Sequence, residues 1–427
     1  MKVETKIWTN LDWILLLLYG GLVIFGWLNL YAVGYEGTLN ATSLFDFTSS
    51  AGKQFIWIAS TMVIFIISSF FDTQFYRSIA YFFYGFSLLL LIGALVWGTK
   101  VGGHSSWFQW KHIQFQPTEF AKLACALALA KRLDKPATKL TSFKTQFSLF
   151  CIILLPLGLI ILQGDIGSSL VFTAFILVFY REGFPAKIIL LGFSVIVLFV
   201  LTLLIPHAYL IVGVLGIGLL MMGIGQRTLQ RIFTVMLITG ATIGLIEGFH
   251  WGCHQVLKPH HRSRLQVLVN PNTDPLGIGW NVMQAKIAIG SGGLWGKGFL
   301  QGTQTKYGFV PEQRKDFIFC TIGEEHGWVG SLLFISGFIS LLLRTLYIAE
   351  RQRLRFARVY GYGVAAVLFF HFLVNVGMTI GLVPVIGIPL PFISYGGSSL
   401  WAFSMMLFIL LRFDANRKQY LAWQAHA

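Results

Sequence analysis

Four ionisable residues stand where chemistry would need them and where an apolar chain should avoid them. Asp274 sits in the run NPNTDPLGIGWN at 270–281, with GSGGLWGKG following at 290–298. A carboxylate set among prolines and glycines, with lysines and arginines nearby, suits a polar or lipid-linked anionic ligand at a membrane face. Asp274 could act as general base toward a hydroxyl if apolar neighbours adjust its pKa, or could be an Asx-type turn residue before Pro275. Glu119 and Lys122, three residues apart in an apolar helical stretch, can share one face and pair. Asp165, in QGDIGSS at 163–169, lies where one apolar run gives way to the next. Unpaired burial is expensive, so Glu119, Lys122 and Asp165 are expected to form a polar cluster in a helix bundle. Such a cluster either fixes helix packing or joins the chemistry, and the residues alone leave both open.

Other chemistries find little support. Glu324, Glu325 and His326 are adjacent, but consecutive residues do not converge on an ion, and no H-E-x-x-H pattern exists. No metal site is therefore assigned. His104, His254, His260 and His261 read as solvated or hydrogen-bonding groups. Motifs for nucleotide hydrolysis (G-x-x-x-x-G-K-[ST]) and serine chemistry (G-x-S-x-G) are absent. Cys125, Cys151, Cys253 and Cys320 lack the short spacings of a disulfide scaffold or zinc site.

The elements that must position these residues are membrane spans. With 56% hydrophobic and 11% charged residues and a mean hydropathy of +0.71, the chain lies outside the soluble globular range. Apolar windows long enough to cross fall at 12–34, 53–71, 77–97, 147–163, 187–205, 208–225, 232–249, 328–348, 359–382 and 397–412. Shorter windows at 114–131 and 166–180 bring the number to about twelve transmembrane helices. The first run is too long, and lacks a small-residue cleavage site, for a cleaved signal peptide.

The charge of +15 does not require nucleic acid, because basic residues concentrate in short connections. Lys131, Arg132, Lys135, Lys139 and Lys144, then Arg181 and Lys187, Arg227 and Arg231, Arg344 to Arg358, and Arg412 to Lys418 all fall on one side. The positive-inside rule makes that side, and both termini, cytoplasmic. Residues 250–327 must then form a large extracytoplasmic loop within a single membrane domain spanning 1–427. This loop is nevertheless basic, which a phosphate-bearing ligand would explain; a tolerated solvated loop is the plainer reading. A short amphipathic helix is expected over 281–288.

Several blocks together carry a family resemblance. They are WFQ at 107–109, FQPTEFAK at 115–122, QGDIGSS, NPNTDPLGIGWN, the glycine-rich run from 284 to 304, FVPEQRKDFIF at 309–319, GEEHGWVG at 323–330, and the stretch from 375 to 399 ending PFISYGGSS. In order and density they resemble the SEDS (shape, elongation, division and sporulation) family over nearly the whole chain, with GTQ and RKDFIF favouring its rod-shape branch. The resemblance implies an all-α SEDS-type helix bundle in the bacterial cytoplasmic (inner) membrane. Members are described with ten spans, so two more are expected here around 208–249. QGD also replaces the more usual Q-P-D, a change in rigidity rather than charge.

The resemblance further implies peptidoglycan glycosyltransfer: polymerisation of lipid II into glycan strands at the outer membrane face during cell-wall elongation. The family's essential extracellular Asp falls on Asp274, its intramembrane Glu and Lys on Glu119 and Lys122, and the Asp of its Q-x-D-x-G block on Asp165. Implied partners are lipid II with its undecaprenyl diphosphate, a class B penicillin-binding protein and other elongation-complex membrane proteins. An inverting reaction with Asp274 as general base is expected. Lys297, Lys306, Arg314 and Lys315 are expected to meet the leaving diphosphate, with a divalent cation such as Mg2+ or Mn2+ as a further aid. The competing function is a lipid II or polyprenyl-linked sugar flippase, whose polar residues would line a path across the membrane rather than crowd one face. A non-catalytic scaffold, tolerant of Asp274→Asn, is a third reading.

Overall fold

The computed structural model describes residues 10–35, 44–101, 104–110, 113–135, 140, 142–224, 228–252, 264, 267 and 277–425. They fall in two compact units. One comprises 1–184, 284–380 and 386–427; the other comprises 185–283 and 381–385.

The first unit opens with helices α1 (Trp13–Gly34), α2 (Ser50–Phe70) and α3 (Thr73–Trp97). Each starts at a polar cap that satisfies a free backbone N–H: Asp12 accepts from Leu15, Ser49 from Gly52 and Asp72 from Phe75. A small antiparallel sheet, absent from the expected all-α fold, comes next in the order β1 (Thr99–Val101), β2 (His104–Trp110), β3 (Ile113–Phe115). Thr99 faces Trp107 across the first pair, and Gln109 faces Gln114 across the second. The sheet's sequence lacks a clean two-residue alternation, so periodicity does not announce it.

Pro117 then opens α4 (Pro117–Leu133), where its missing N–H costs nothing. Next come α5 (Phe143–Leu162), α6 (Ile166–Leu170), a 3-10 turn at Val171–Phe175 and α7 (Ile176–Arg181). In the second unit, α8 (Ala186–Leu204), α9 (His207–Gly223) and α10 (Leu229–Trp251) form a three-helix group. The chain continues through α11 (Ile278–Ser291), α12 (Thr303–Lys306), α13 (Ile318–Glu350), α14 (Arg355–Thr379) and α15 (Gly397–Ala425).

In this multi-pass membrane protein, the two spanning helices at the extremes of hydropathy are buried to opposite degrees. The apolar window of α5 has mean hydropathy 2.3 and is 28% buried; that of α15 has 1.3 and is 89% buried. Lipid replaces water as the outer solvent, so outward faces must be apolar while interior helices are released from that demand. Helix α4 is the limiting case. It is buried on nearly every face, with Ala121, Ala124, Ala126, Ala128 and Ala130 allowing close helix approach.

Among the described residues, eight helices are long and apolar enough to cross a membrane, rather than the twelve expected. The other four windows are helical as well. Helices α4 and α9 have 17 residues each, and α8 has 19. The window at 166–180 is broken by the 3-10 turn into two short helices. The region 187–249 does form three helices. Pro206 caps the second, and Phe199 meets Phe249 edge-on with ring centroids 5.2 Å apart. Arg227, expected in the turn between α9 and α10, lies outside the described residues.

Basic residues assigned to the cytoplasmic side are tied together at helix ends of the first unit. Arg344 and Arg351 both bind Asp12, Arg351 and Arg417 bind Asp414, Arg355 and Arg358 bind Glu182, and Arg181 pairs with Glu350. The start of α1 and the ends of α7 and α13 are thus joined to α14 and α15 by charge as well as by packing.

Candidate functional site

The polar group buried in the first unit is built on α4. Glu119 and Lys122 lie one turn apart, and Lys122 Nζ donates to Glu119 Oε2 at 2.8 Å. The Lys122 side chain is 0% exposed and that of Glu119 1%. Sequence reasoning missed a third member. His371, on α14, is fully buried and brings Nε2 within 2.8 Å of Lys122 Nζ. Its Nδ1 lies 3.0 Å from the Pro389 carbonyl oxygen, which can only accept. Nδ1 therefore carries the hydrogen, and Nε2 offers its lone pair to the lysine. The Phe403 ring completes the nest, 5.1 Å from Lys122 Nζ and edge-on to His371. An ionisable residue inside an apolar helix was the available signal for His371.

Asp165 is near enough to Lys122 to act on it through charge, as the expected cluster requires, but its hydrogen bonds go elsewhere. Its Oδ1 caps α6 by accepting from Ser168 N at 3.0 Å, and its Oδ2 accepts from Gln116 Nε2 at 3.3 Å. It thus meets α4 through the residue that precedes the helix and makes no hydrogen bond to Lys122. The small sheet holds this arrangement. Ser105 N on β2 donates to the Gln163 carbonyl at 3.0 Å, and Gln116 N donates to Ser398 Oγ at 3.2 Å.

The described part of the loop forms a second polar centre around Glu324. This buried carboxylate accepts from Lys297 Nζ at 2.7 Å, Gln304 N at 2.8 Å, and Thr305 N and Oγ1, both at 2.9 Å. It therefore seats the short helix α12 on the start of α13. Glycine makes the close approach possible. Gly327 breaks α13 at φ 65°, and Gly296 has φ 83° with its Cβ position 2.1 Å from the Glu325 carbonyl oxygen. Any side chain at Gly296 would collide with backbone that cannot yield. Backbone bonds Lys297 N to Glu324 O and Gly298 N to Glu325 O, each 3.0 Å, close the join.

The four basic residues expected to meet a diphosphate separate in this setting. Lys297 is already paired with Glu324 and serves the loop. Lys306 lies over the Tyr35 ring, with Nζ 5.6 Å from its centroid. Arg314 and Lys315 are exposed, while their backbone is fixed from behind: Tyr395 N donates to Arg314 O at 2.8 Å and Ser394 Oγ to Lys315 O at 2.5 Å. Asn375 Nδ2 braces the next residue by donating to Asp316 O at 2.8 Å. Burial pushes the Tyr395 phenol above its ordinary range, an effect that nearby Arg314 partly opposes. Asp274 lies outside the described residues. The helix expected over 281–288 is present as α11, longer than foreseen. Among the described residues, no group of three or more His, Cys, Asp and Glu is placed to hold a metal ion.

This combination of a lysine nest in the bundle and a glycine-built basic loop spans the blocks by which the chain can be compared with known proteins. Residues 10–211 and 186–419 match the family of cell cycle proteins that takes in FtsW, RodA and SpoVE. The chain belongs to this family.

Similarity extends along the full length of this SEDS protein. It is 31% identical to the peptidoglycan glycosyltransferase RodA of Treponema pallidum (strain Nichols), over 96% of this chain and 98% of that one. It is 32% identical to the peptidoglycan glycosyltransferase MrdB of Escherichia coli (strain K12), over 84% of each. A solved chain from work on the coordination of polymerization and crosslinking by a peptidoglycan synthase complex superposes with TM-score 0.70. It is 26% identical, and the match covers 96% of this SEDS protein and 99% of that chain. The rod shape determining protein RodA of Thermus thermophilus shares the fold, with TM-score 0.62 and 24% identity over 95% and 97% of the two chains.

Proposed function

We propose that this SEDS protein is a peptidoglycan glycosyltransferase that polymerises lipid II during cell-wall synthesis. The observation that carries the reading is identity above 30% over nearly the whole length of a relative named for that activity. In the reaction, the 4-hydroxyl of an acceptor GlcNAc attacks the anomeric carbon of the growing chain's MurNAc. The new glycosidic bond forms as the bond to undecaprenyl diphosphate breaks, with inversion. Asp274 takes the hydroxyl proton, and the departing diphosphate takes the bonding electron pair.

Lys306, Arg314 and Lys315 are the groups we assign to the diphosphate, because their side chains are not tied up in a buried ion pair. Lys297 acts one step back, through the loop it closes with Glu324. A divalent cation such as Mg2+ or Mn2+ would add to the positive charge that Lys306, Arg314 and Lys315 offer the diphosphate. A crosslinking enzyme of the class B penicillin-binding type is the proposed companion, since a similar chain functions within a peptidoglycan synthase complex. We also assign both termini to the cytoplasm, with α4, α8, α9 and the broken α6–α7 segment as the crossings that complete twelve.

The buried Glu119–Lys122–His371 group favours a second reading, a flippase for lipid-linked sugars, because charge within a bundle is what a transport path needs. One experiment separates the readings. The purified protein with its companion should convert lipid II into long strands, and Asp274→Asn should lower the rate by about 100-fold or more without unfolding the protein. Wild-type rates from that variant would sink the base assignment. Absence of strands while labelled lipid II crosses liposome bilayers would install the flippase.

A further inference from the structure

The turn at 293–296 carries an exposed apolar tip that the glycosyl-transfer reading does not use. Leu294 is 65% exposed and Trp295 79% exposed. In a solvated loop such side chains would cost hydrophobic free energy, and small polar residues would serve the turn equally well. Their position relative to the membrane is fixed by backbone bonds. Trp328 N donates to Gly293 O at 2.9 Å and Val329 N to Leu294 O at 3.1 Å. Trp328 and Val329 come immediately after the break at Gly327, so they begin the straight part of α13 that crosses the membrane. The tip therefore sits level with the first turn of a spanning helix.

The exposed surface of that helix continues the same chemistry. Trp328 is 61% exposed, and Leu332, one turn further on the same face, is 46% exposed. Trp295, Leu294 and Trp328 thus extend a lipid-facing face into the layer where an indole ring is most favourable, apolar on its body and hydrogen-bonding at its N–H.

We propose that Leu294 and Trp295 are a membrane anchor: the turn is seated in the bilayer interface on the loop side, and the lipid itself covers it. The anchor sets the depth of the adjoining basic segment. Lys297 is two residues beyond Trp295, and through Glu324 it holds α12. The loop's basic groups are thereby kept at headgroup level rather than free to rise into water. This seating does not depend on whether the chain polymerises or flips its substrate.

Site-directed spin labelling of the full-length protein in nanodiscs of phosphatidylcholine and phosphatidylglycerol tests it. Cys151→Ser and Cys253→Ser would leave the buried Cys125 and Cys320, and a nitroxide would be placed through Trp295→Cys, Leu294→Cys or, as an aqueous reference, Gln301→Cys. Labels at 294 and 295 should collide several-fold more often with oxygen than with a water-soluble nickel chelate, and the label at 301 should show the reverse. Using two anchor positions guards against one label disturbing the turn. Chelate-dominated collisions at both would place the tip in water and overturn the proposal. Exclusion of both reagents from both labels, with immobilised spectra in nanodiscs drawn directly from cells, would mean that a companion protein covers the tip and would overturn it equally.

Discussion

Two Glu–Lys pairs with the same spacing behave as different objects in the bundle and in the loop. On α4, Glu119 and Lys122 stand three residues apart, 2.8 Å between charges, with side chains 1% and 0% exposed. In the loop, Glu312 and Lys315 are also three residues apart, but 3.5 Å separates their charges and they are 56% and 49% exposed. Spacing permits both pairs; burial decides what each is for. In the bundle the pair must exist, because either charge alone would be stranded in low dielectric. In the loop water solvates both partners, leaving Lys315 free for a ligand. Lys297 and Glu324 fall between: their partners are 27 residues apart, and the carboxylate is buried while the lysine is 25% exposed. That pair closes a loop.

The sharpest way to break the comparison is to remove one partner in the bundle. Lys122→Met should destabilise the protein by about 3–5 kcal/mol, because Glu119 is left buried and His371 loses its donor. Adding Glu119→Gln should recover part of that loss, since the stranded charge disappears with it. Thermal unfolding in detergent measures both. A loss in the double variant equal to the sum of the two single losses would mean that the two charges are not coupled.

A smaller and more local effect is expected from Glu324→Gln. The amide keeps one acceptor but turns an NH2 group toward the donors of Lys297, Thr303 and α12. The loss of charge-assisted bonds should cost about 2–3 kcal/mol locally. Hydrogen exchange should quicken at Gln304 and Thr305 while amides of α4 stay protected. Unchanged exchange at those two amides would show that the loop is held by other contacts.

How far these distinctions were legible in the sequence depends on what periodicity and composition encode. The outer helices announced themselves, because lipid-facing surfaces must be apolar at nearly every turn. Helix α4 and the 166–180 segment were harder, since an interior helix needs no apolar exterior and a 3-10 turn leaves no hydropathy trace. The Glu119–Lys122 pair could be read from spacing on one helix. His371 could not be assigned as its partner, because the contact joins residues 249 apart in the chain. Asp165 acts on Lys122 through charge, as the sequence suggests, but spacing alone could not show that the tight QGD turn uses one carboxylate oxygen as a helix cap and the other for Gln116. The sheet at 99–115 escaped notice because its strands are short and their pattern irregular. Among the loop's lysines, only the fold could show that Lys297 already has a buried partner while Lys315 does not.

The smallest structural effect should come from Lys315→Ala, and it tests the other half of the comparison. The main chain here is held without the side chain's help: Lys315 N donates to Glu312 O at 3.0 Å, and Lys315 O accepts from Ser394 Oγ. With an exposed, loosely spaced pair, truncation should change stability by no more than about 0.5 kcal/mol. If the side chain meets the diphosphate of lipid II in the bound state, the apparent KM should rise several-fold while kcat stays near the parent value. A fall in kcat with KM unchanged would instead mean that the lysine acts only as charge develops on the leaving group. A melting temperature lowered by several degrees would show that the loop pair is structural after all, erasing the contrast with the bundle. Unchanged kinetics and stability together would remove Lys315 from the site and leave Arg314 and Lys306 to meet the phosphate.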